Sequence, residues 1–465
     1  MNVGFISLGC SKNLVDTEMM IGLFKRENFK IVNDPKDADI IVVNTCGFIG
    51  PAKEEAINTL LEMAEYKKNK CKFLVATGCL VERYKEDLKK LMPEVDLFIK
   101  FSEYSTFWEQ IVESMKKKLD IPQGKEYDSI NERLEYDDRI VSTGENYAYL
   151  RVADGCDNFC TFCAIPYIRG RFKSRSEEDV LKEVKELVEQ GIREFIVIAQ
   201  DTTKYGTDIY GKPMLADLLH KISEVEGVEW IRFLYSYPET ITDDLIEEVK
   251  NNDKICKYFD IPMQHISDNI LKKMNRKSTK ESTMKLLERL RKEIPGVIIR
   301  STLMVGFPGE EEEDFEQLYD FVKWAKFDKL GCFTYSKEEG TAAATMTGTV
   351  HPMTKKSRYN KIMALQQEVS KANLERFVGK EFKVLVENAY VNDDNELYFV
   401  GRTYMDVPDI DGFVYIKSNE EEGIDLEDRN TVLIIKTKIN TKNYNIIENE
   451  FPEHTLISNI LHSSL

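Results

Sequence analysis

Three cysteines on one short segment, Cys156, Cys160 and Cys163, are the residues with the clearest chemical potential in this 465-residue chain. Three thiolates at C-x3-C-x2-C spacing can hold three corners of a [4Fe–4S] cube and leave the fourth iron open. A structural zinc site normally closes with four ligands, and no fourth Cys or His lies within fifteen residues of this triplet. The spacing therefore favours an open iron–sulfur cluster over zinc and over three incidental buried cysteines.

Three further cysteines, Cys10, Cys46 and Cys79, each follow a predicted strand in the N-terminal region. The predicted strands are residues 3–8, 39–44 and 73–77, with helical periodicity near residues 14–26 and 54–66. Such alternation predicts a parallel sheet, whose functional residues lie beyond the carboxyl ends of the strands. We expect these thiols to meet at one rim as a second three-ligand [4Fe–4S] site, with incidental cysteines as the alternative.

The central region repeats strand–helix units. Strands are predicted at residues 147–152, 194–199, 230–235, 258–261, 297–304 and 329–334, and helices at 177–189, 213–225, 242–251, 279–293 and 310–325. This pattern predicts a partial (β/α) barrel with its active site at the carboxyl ends of the strands. The triplet would lie at that end, just after the first strand.

Short β-rich segments punctuated by Asp, Asn and Gly follow, at residues 381–388, 396–402, 412–416 and 431–438. They predict a small antiparallel, OB-like barrel. The predicted fold class is thus α/β with five regions along the chain. These are an N-terminal parallel-sheet domain (1–115), a linker (116–146), the partial barrel (147–372), the small barrel (373–438) and a tail (439–465).

The formal charge of −17 argues against broad binding to a phosphate backbone. It suits a basic protein partner or simple solubility. Residues 376–465 carry 9 Lys and Arg against 17 Asp and Glu, so the small barrel is not a nucleic-acid clamp. Nine cysteines without a secretory signal predict metal or redox use in a reducing, cytoplasmic compartment. The sequence contains no run of eighteen apolar residues, so it predicts no membrane span.

The triplet, with Phe162 before its last cysteine, resembles the signature of the radical S-adenosylmethionine (AdoMet) superfamily. Two three-cysteine sets followed by a small barrel resemble the methylthiotransferase family, in its RimO-like branch. The similar segments are 8–18 (LGCSKNLVDTE, with Ser11 where Pro is commoner), 44–49 (NTCGFI), 199–203 (AQDTT), 263–268 (MQHISD) and 407–412 (VPDIDG). The small barrel resembles a TRAM domain.

This resemblance implies two [4Fe–4S] clusters and S-adenosyl-L-methionine as cofactors. One cluster, on the triplet, cleaves AdoMet to a 5′-deoxyadenosyl radical, which removes hydrogen from the β-carbon of an aspartate in small-subunit ribosomal protein twelve. The second cluster supplies sulfur, and a second AdoMet supplies the methyl group. The acidic small barrel agrees with a basic ribosomal protein as substrate, and a flavodoxin-like or ferredoxin-like electron donor is expected.

The resemblance also implies cofactor contacts for Phe162, Gln200, Arg300, Thr302 and Gly306. The Gly-Phe-Pro-Gly run at 306–309 would let the backbone approach adenine, although turn chemistry alone also explains it. His265 is a candidate catalytic residue or a structural histidine. The basic segment 169–175 would contact AdoMet or the target side chain, or form a solvated loop.

Two rival functions remain at this level. A MiaB-like enzyme would run the same chemistry on an adenosine of tRNA. The second rival is a non-catalytic iron–sulfur electron carrier or sensor, which would need no AdoMet pocket. The features around Gln200 and residues 305–310 argue against this rival. Whether the two three-cysteine sets face each other depends on domain packing, which sequence patterns do not give.

Overall fold

A computed structural model of the protein describes residues 1–119, 136, 139–144, 146–392, 395–417 and 434–438. The N-terminal domain contains, in chain order, β1 (Asn2–Ser7), α1 (Ser11–Arg26), β2 (Lys30–Ile31), β3 (Ile40–Thr45), α2 (Gly50–Glu65), β4 (Phe73–Gly78), α3 (Cys79–Leu91), β5 (Leu97–Ile99) and α4 (Phe107–Leu119). Its five strands form a parallel sheet of order β2-β1-β3-β4-β5. Strands β3 and β4 are buried along their whole length, as expected for central strands of a parallel sheet covered on both faces.

The central region begins with β6 (Tyr147–Arg151), β7 (Ala153–Asp154), α5 (Ile165–Ile168), β8 (Lys173–Ser174), α6 (Glu177–Glu189), β9 (Glu194–Ile198), α7 (Leu215–Glu224), β10 (Trp230–Phe233) and α8 (Asp243–Asn251). It continues with β11 (Tyr258–Asp260), α9 (Asp268–Lys273), α10 (Lys280–Glu293), β12 (Ile298–Val305), α11 (Glu312–Ala325), β13 (Lys329–Thr334) and α12 (Pro352–Glu375). Two parallel sheets, β6-β9-β10 and β11-β12-β13, meet at a parallel bridge between Ile231 and Ile255. Together they form the partial barrel that the sequence predicts.

The two faces of this partial barrel pack against different parts of the protein. The outer face packs under the surrounding helices, for example through Val197, Phe233 and Leu303. The inner face includes Tyr149 and Tyr258, which share one apolar cluster with Val15 and Met19 of α1 and with Met405 and Val407 of the C-terminal domain. Both flanking domains therefore pack into the concave side of the barrel.

The C-terminal domain contains β14 (Glu381–Val391), β15 (Leu397–Arg402), β16 (Val414–Lys417) and β17 (Ile434–Lys438). They form an antiparallel sheet of order β16-β15-β14-β17. The predicted strand at 431–438 is thus described from Ile434 onward. Residues 418–433, and the predicted tail at 439–465, lie outside the described residues.

A buried ion cluster fixes this C-terminal sheet to the barrel. The Glu194 carboxylate of β9 accepts hydrogen bonds from Arg402 of β15 (2.7 Å) and from Arg232 of β10. All three side chains are at most 1% exposed. Arg232 also donates to the Thr403 carbonyl oxygen at 2.7 Å. A carboxylate held by two guanidinium groups in this way orients the two domains relative to each other.

Two predicted boundaries fall inside helices. Helix α4 continues past residue 115, where a run of lysines at 116–118 resembles a linker, and α12 continues past residue 372. Helix α12 buries the polar side chains of Arg358 and Gln366, so it lacks the apolar stripe that marks most amphipathic helices. Within the described part of the chain, no helix is both long and apolar enough to cross a membrane.

Candidate cluster and cofactor site

The Cys156–Cys160–Cys163 triplet lies on the loop between β7 and α5, beyond the carboxyl end of β6. Cys156 and Cys160 are 6% exposed. Burial raises the pKa of Cys156 to about 11, and burial followed by the Cys160 thiol raises the pKa of Cys163. The three thiols therefore lie close enough to act on one another. A thiol must lose its proton to bind iron, and bound metal supplies the positive charge that favours this.

Two polar side chains lie beside the Cys160 sulfur, one from the segment after β10 and one from the segment after α9. The Tyr237 hydroxyl lies 3.4 Å from Sγ, and the Arg276 guanidinium lies 3.9 Å from it. Arg276 also stacks over the Tyr237 ring at 4.1 Å. Donors and positive charge beside a cysteine sulfur tune an iron–sulfur cluster, so this surrounding fits a cluster ligand better than an inert core cysteine.

Gly155 shapes the start of the triplet loop, and its replacement tests that shape. Its φ is +75°, and a Cβ there would lie 2.1 Å from the Arg171 carbonyl oxygen. We expect Gly155→Ala to displace Cys156 and to lower iron bound after anaerobic reconstitution from about eight per chain to about four. Iron assay and the thermal unfolding midpoint check this result.

Gly170→Ala is the matched control. Gly170 has the same φ of +75°, but no atom lies within 4 Å of the added Cβ. The control carries the backbone strain of a left-handed residue, about 1–2 kcal/mol, without the collision. Equal iron loss in the two variants would contradict a steric requirement at Gly155.

The three N-terminal thiols meet at the carboxyl ends of adjacent strands. Cys10 follows β1 and caps α1, Cys46 follows β3, and Cys79 follows β4 as the first residue of α3. A Cβ on Gly9 would lie 2.9 Å from the Cys46 sulfur. Burial first, then the thiols of Cys79 and Cys10, raise the pKa of Cys46. The structure therefore brings these cysteines together in the way that the sequence predicts.

The two three-cysteine sets adjoin each other across the domain interface. Cys79 packs directly against Ala164 and Ile168, which follow the triplet. The neighbouring Arg169 is buried and donates to Asn13 Oδ1 (2.6 Å) and Asp16 Oδ2 (2.7 Å) of α1. Its other terminal nitrogen donates to Asp154 Oδ2 at 3.0 Å. One guanidinium thus spans from the N-terminal set to the start of the triplet loop.

A second contact holds the domains together on the other side of the rim. Glu338, after β13, is 3% exposed. Its carboxylate accepts from the Gly50 backbone N–H (3.0 Å) and from the Lys53 ammonium (2.8 Å) at the start of α2. Arg83 of α3 lies 3.3 Å away. The rim of the N-terminal sheet is therefore fixed against the rim of the barrel at two separate places.

Gln200 carries an unmet polar atom at this junction. Its Nε2 donates to Asp154 Oδ1 at 2.8 Å, while its Oε1 is buried without a hydrogen-bond partner among the described residues. Because a carboxylate can only accept, Asp154 fixes which way the amide points. A buried acceptor without a donor is costly, and the amino group of AdoMet is a donor that fits it.

The other predicted cofactor residues have mixed surroundings. Thr302 is half-buried on β12, and Phe162 lies edge-on to Phe307 with ring centroids 6.5 Å apart. Arg300 is paired with Asp260 at 3.2 Å. At Gly306, a Cβ would lie 2.3 Å from Lys355 Cγ. The space beside Gly306 is therefore filled by a lysine stem rather than left open for adenine.

His265 is 1% exposed, so its ring is enclosed within the protein. Its Nδ1 accepts from the Ser267 backbone N–H at 3.0 Å, and its Nε2 lies 3.6 Å from Glu310 Oε2. The same Glu310 oxygen accepts from the Gly306 backbone N–H at 2.7 Å. These contacts give His265 a positioning role toward residues 306–310, and its catalytic role stays a prediction.

The basic segment 169–175 is not a solvated loop. Arg169 and Arg175 are buried in ion pairs, Arg175 with Asp179 (2.6 Å) and with Glu183. Arg171 is 74% exposed and pairs with Asp157 at 2.9 Å. Sequence patterns alone miss Asn13, Asp16 and Asp154 as partners, because a polar residue in a helix or loop carries no periodic signal. Arg169 of this segment therefore serves the domain interface, whereas Arg171 and Arg175 pair within the barrel.

Across the described ranges, no group of three or more His, Cys, Asp or Glu side chains converges closely enough to hold one metal ion. In a [4Fe–4S] cube each cysteine binds a different iron, so three ligands stand apart by the width of the cube. All nine cysteines are free, and Cys71, Cys256 and Cys332, which belong to neither set, are buried in the core.

Three family models match the chain. They are the Radical SAM superfamily over residues 150–322, Uncharacterized protein family UPF0004 over 2–100, and the TRAM domain over 378–438. The first match indicates a [4Fe–4S] cluster and S-adenosylmethionine as cofactors. The TRAM match confirms the expected class of the C-terminal domain.

A solved structure shares the fold. A radical S-adenosylmethionine methyltransferase, TsrM, from Kitasatospora setae, solved with cobalamin and a [4Fe–4S] cluster bound, superposes with a TM-score of 0.55 at 15% identity. The match covers 74% of this chain and 77% of that chain. At this identity the likeness shows the fold alone.

Curated relatives match nearly the whole chain. A protein of Alkaliphilus oremlandii named ribosomal protein uS12 methylthiotransferase RimO is 58% identical over 424 residues, covering 91% of this chain and 94% of its own. Proteins with the same name from Clostridium perfringens and Acetivibrio thermocellus are 50% and 49% identical, each over 90% of this chain and 92% of their own. The chain therefore belongs to the RimO family of ribosomal protein uS12 methylthiotransferases.

Proposed function

We propose that this protein adds a methylthio group to the β-carbon of an aspartate in ribosomal protein uS12. The observation that carries the proposal is the junction of the two three-cysteine sets, where Cys79 packs on Ala164 and Ile168. A carrier of single electrons needs no second open site beside the first. The relatives named for uS12 methylthiotransfer support the same reading.

Each three-cysteine set would hold its own [4Fe–4S] cluster. Cys156, Cys160 and Cys163 would bind the cluster that works with AdoMet, and Cys10, Cys46 and Cys79 would bind the second. When bound, these groups and AdoMet supply the radical chemistry that opens a C–H bond, the sulfur atom and the methyl group. What the protein contributes is position, shielding and charge.

Several side chains of this chain perform that work. Asp154 orients the Gln200 amide so that Oε1 can accept from the AdoMet amino group. Tyr237 and Arg276 lie beside the Cys160 sulfur and offset its negative charge. Four of the six cysteines are buried, which limits the access of water to the reacting region. Phe162 and Thr302 complete the proposed cofactor surroundings.

The partners follow from charge and from the chemistry. A formal charge of −17 favours a basic protein as substrate over a nucleic acid. Cleavage of AdoMet consumes one electron, so a flavodoxin-like or ferredoxin-like donor would supply it. Both partners, and six cysteine ligands that must stay reduced, support a reducing, cytoplasmic location.

Intact mass of uS12 tests the proposal directly. We expect uS12 incubated anaerobically with the reconstituted enzyme, AdoMet, dithionite and sulfide to gain the mass of one methylthio group less the hydrogen that it replaces, located on an aspartate by fragmentation. Omitting AdoMet provides the control. An unchanged uS12 together with a modified adenosine in tRNA would move the assignment to the MiaB-like reaction. No modification of either molecule, with iron still bound, would favour the carrier or sensor.

A further inference from the structure

Lys12, near the start of α1, is a largely buried lysine with no anionic partner among the described residues. It is 6% exposed, yet its ammonium forms no hydrogen bond or ion pair with any of the described residues. Its one close contact is the ring of Tyr235, whose centroid lies 3.2 Å from Nζ. An aromatic face offsets only part of the cost of removing an ammonium from water. A buried charge of this kind normally has a counter-ion.

The position of Lys12 on its helix makes that cost larger. The amino end of a helix carries partial positive charge and favours acidic residues. The first turn of α1 contains no acidic residue, and its N-cap, Cys10, makes no side-chain capping bond. The adjacent Ser11 has a buried Oγ without a hydrogen-bond partner among the described residues. This end of α1 thus combines positive potential with unmet donors, as an anion-binding site does.

The nearby carboxylates do not supply the missing charge. Asp16, one turn further along α1, is occupied by Arg151 and by Arg169 at 2.7 Å. Asp260 accepts from Arg300 and from the Tyr235 backbone N–H at 2.9 Å. These carboxylates therefore already carry cationic or backbone partners of their own.

The N-terminal thiols also have their own cation. Burial raises the pKa of Cys79 to about 11, and among nearby charges the Arg169 guanidinium acts most strongly in the opposite direction. Arg169 is hydrogen-bonded to Asn13, whose Oδ1 lies 3.6 Å from the Cys79 sulfur. The Lys12 ammonium instead reaches away from its own sheet to the barrel residue Tyr235.

Tyr235 marks the place as part of the reaction rim. It lies two residues beyond the carboxyl end of β10, where active sites of such barrels are found. Its φ is +64°, a strained value for a residue other than glycine, of the kind that recurs at functional sites. Lys12 is itself two residues from Cys10. Its ammonium thus lies between the N-terminal three-cysteine set and the barrel rim.

We infer that Lys12 binds the side-chain carboxylate of the aspartate that receives the methylthio group. The inference rests on the proposed function, because that reaction places an aspartate between the two sites. The ammonium would donate a charge-assisted hydrogen bond to a carboxylate oxygen. It would hold the β-carbon in the rim and would select an acid over its amide.

A binding cycle without turnover tests this role. Two labelled forms of uS12 are compared: the unsubstituted protein and one with the modified aspartate replaced by asparagine. Each is titrated, anaerobically and without reductant, with the reconstituted unsubstituted enzyme, with Lys12→Met and with Lys12→Arg. Fluorescence anisotropy measures the binding. We expect Lys12→Met to weaken binding of unsubstituted uS12 about 10- to 100-fold. The asparagine substitution in uS12 should weaken binding to the unsubstituted enzyme by a similar factor. It should not weaken binding to Lys12→Met any further, because the contact is already lost there. Lys12→Arg should recover most of the loss.

Lys25→Met, an exposed position on the same helix, is the control and should bind like the unsubstituted enzyme. Iron content of each variant shows whether the second cluster is still held. Independent, additive effects of the enzyme and uS12 substitutions would overturn the inference, as would Lys12→Met binding unsubstituted uS12 at full affinity with iron retained. Either result, with the unsubstituted enzyme still modifying uS12, leaves the proposed function standing. Failure to modify uS12 at all would overturn both.

Discussion

Replacing Cys156, Cys160 and Cys163 together by alanine should abolish methylthio transfer and halve the bound iron, from about eight to about four per chain. Cys156 and Cys160 are buried and Cys163 is half-buried on one loop, and no fourth cysteine lies within fifteen residues of the triplet in the sequence. The N-terminal set belongs to a different sheet and should still assemble its cluster. Iron and sulfide assays after anaerobic reconstitution measure the loss, and AdoMet cleavage under dithionite should vanish with it.

Two further variants complete that experiment. Alanine at Cys10, Cys46 and Cys79 should also leave about four iron, but with AdoMet cleavage retained because the triplet is intact. Cys332→Ala, at a buried core cysteine remote from both sets in sequence, should retain about eight. A triplet variant that bound no iron would end the proposal of an N-terminal cluster.

Arg169→Met should destabilise the protein by about 3–5 kcal/mol. The guanidinium is 2% exposed and pairs with Asp16 and Asp154, which belong to different domains. Removing it leaves a buried, partly compensated pair of carboxylates at the interface, although Arg151 still contacts both. Urea unfolding of the cluster-free protein, followed by tryptophan fluorescence, measures the change.

Arg171→Met is the matched control for Arg169→Met. Arg171 lies two residues away, is 74% exposed and makes one surface ion pair with Asp157. Such pairs contribute about 0–1 kcal/mol, so its loss should hardly move the unfolding midpoint. Equal stability of the two variants would show that the interface does not depend on the buried pair.

The ion pair between Arg169 and Asp154 also makes the stability of the protein depend on pH. Burial raises the pKa of Asp154, but Arg169 and then Arg151 outweigh it, so the pKa of Asp154 is held below its ordinary value. A carboxyl with a depressed pKa in the folded state contributes stability above its ordinary pKa and loses it as pH falls through the depressed value. Arg169→Met lacks much of this contribution at pH 7, so its stability deficit relative to the unsubstituted protein should shrink as pH falls toward 3. Unfolding midpoints between pH 3 and pH 7 would record the difference, with about 4 as the ordinary value.

The strands of the barrel and the strand-end cysteines were accessible from sequence for a physical reason. Parallel strands buried on both faces contain short, continuous apolar runs, as in residues 40–43 and 195–198. A cysteine directly after such a run must lie at the carboxyl rim. Both features depend only on neighbours in the chain, so pattern and spacing suffice to place Cys46 and Cys79.

The junction between the two sites was not accessible in the same way. Its central residue, Arg169, is polar and lies in a basic segment that could equally face solvent. Its partners Asn13 and Asp16 are 156 and 153 positions away in the chain. Helix α12 was missed for a related reason, since its buried side chains include Arg358 and Gln366. Contacts between polar residues distant in sequence leave no periodic signal.

The buried cluster of Glu194, Arg232 and Arg402 has a consequence for how the enzyme chooses its target. Because these buried contacts fix the C-terminal domain to β9 and β10, we do not expect it to move independently of the barrel when it delivers a substrate. We therefore expect the C-terminal domain to keep a constant distance between a bound uS12 and the rim where the cysteines meet. Only a side chain on a segment that spans this set distance would reach the rim. Selectivity for one aspartate among many would then depend mainly on its distance from the surface of uS12 that binds the enzyme. The local sequence around the aspartate would contribute less.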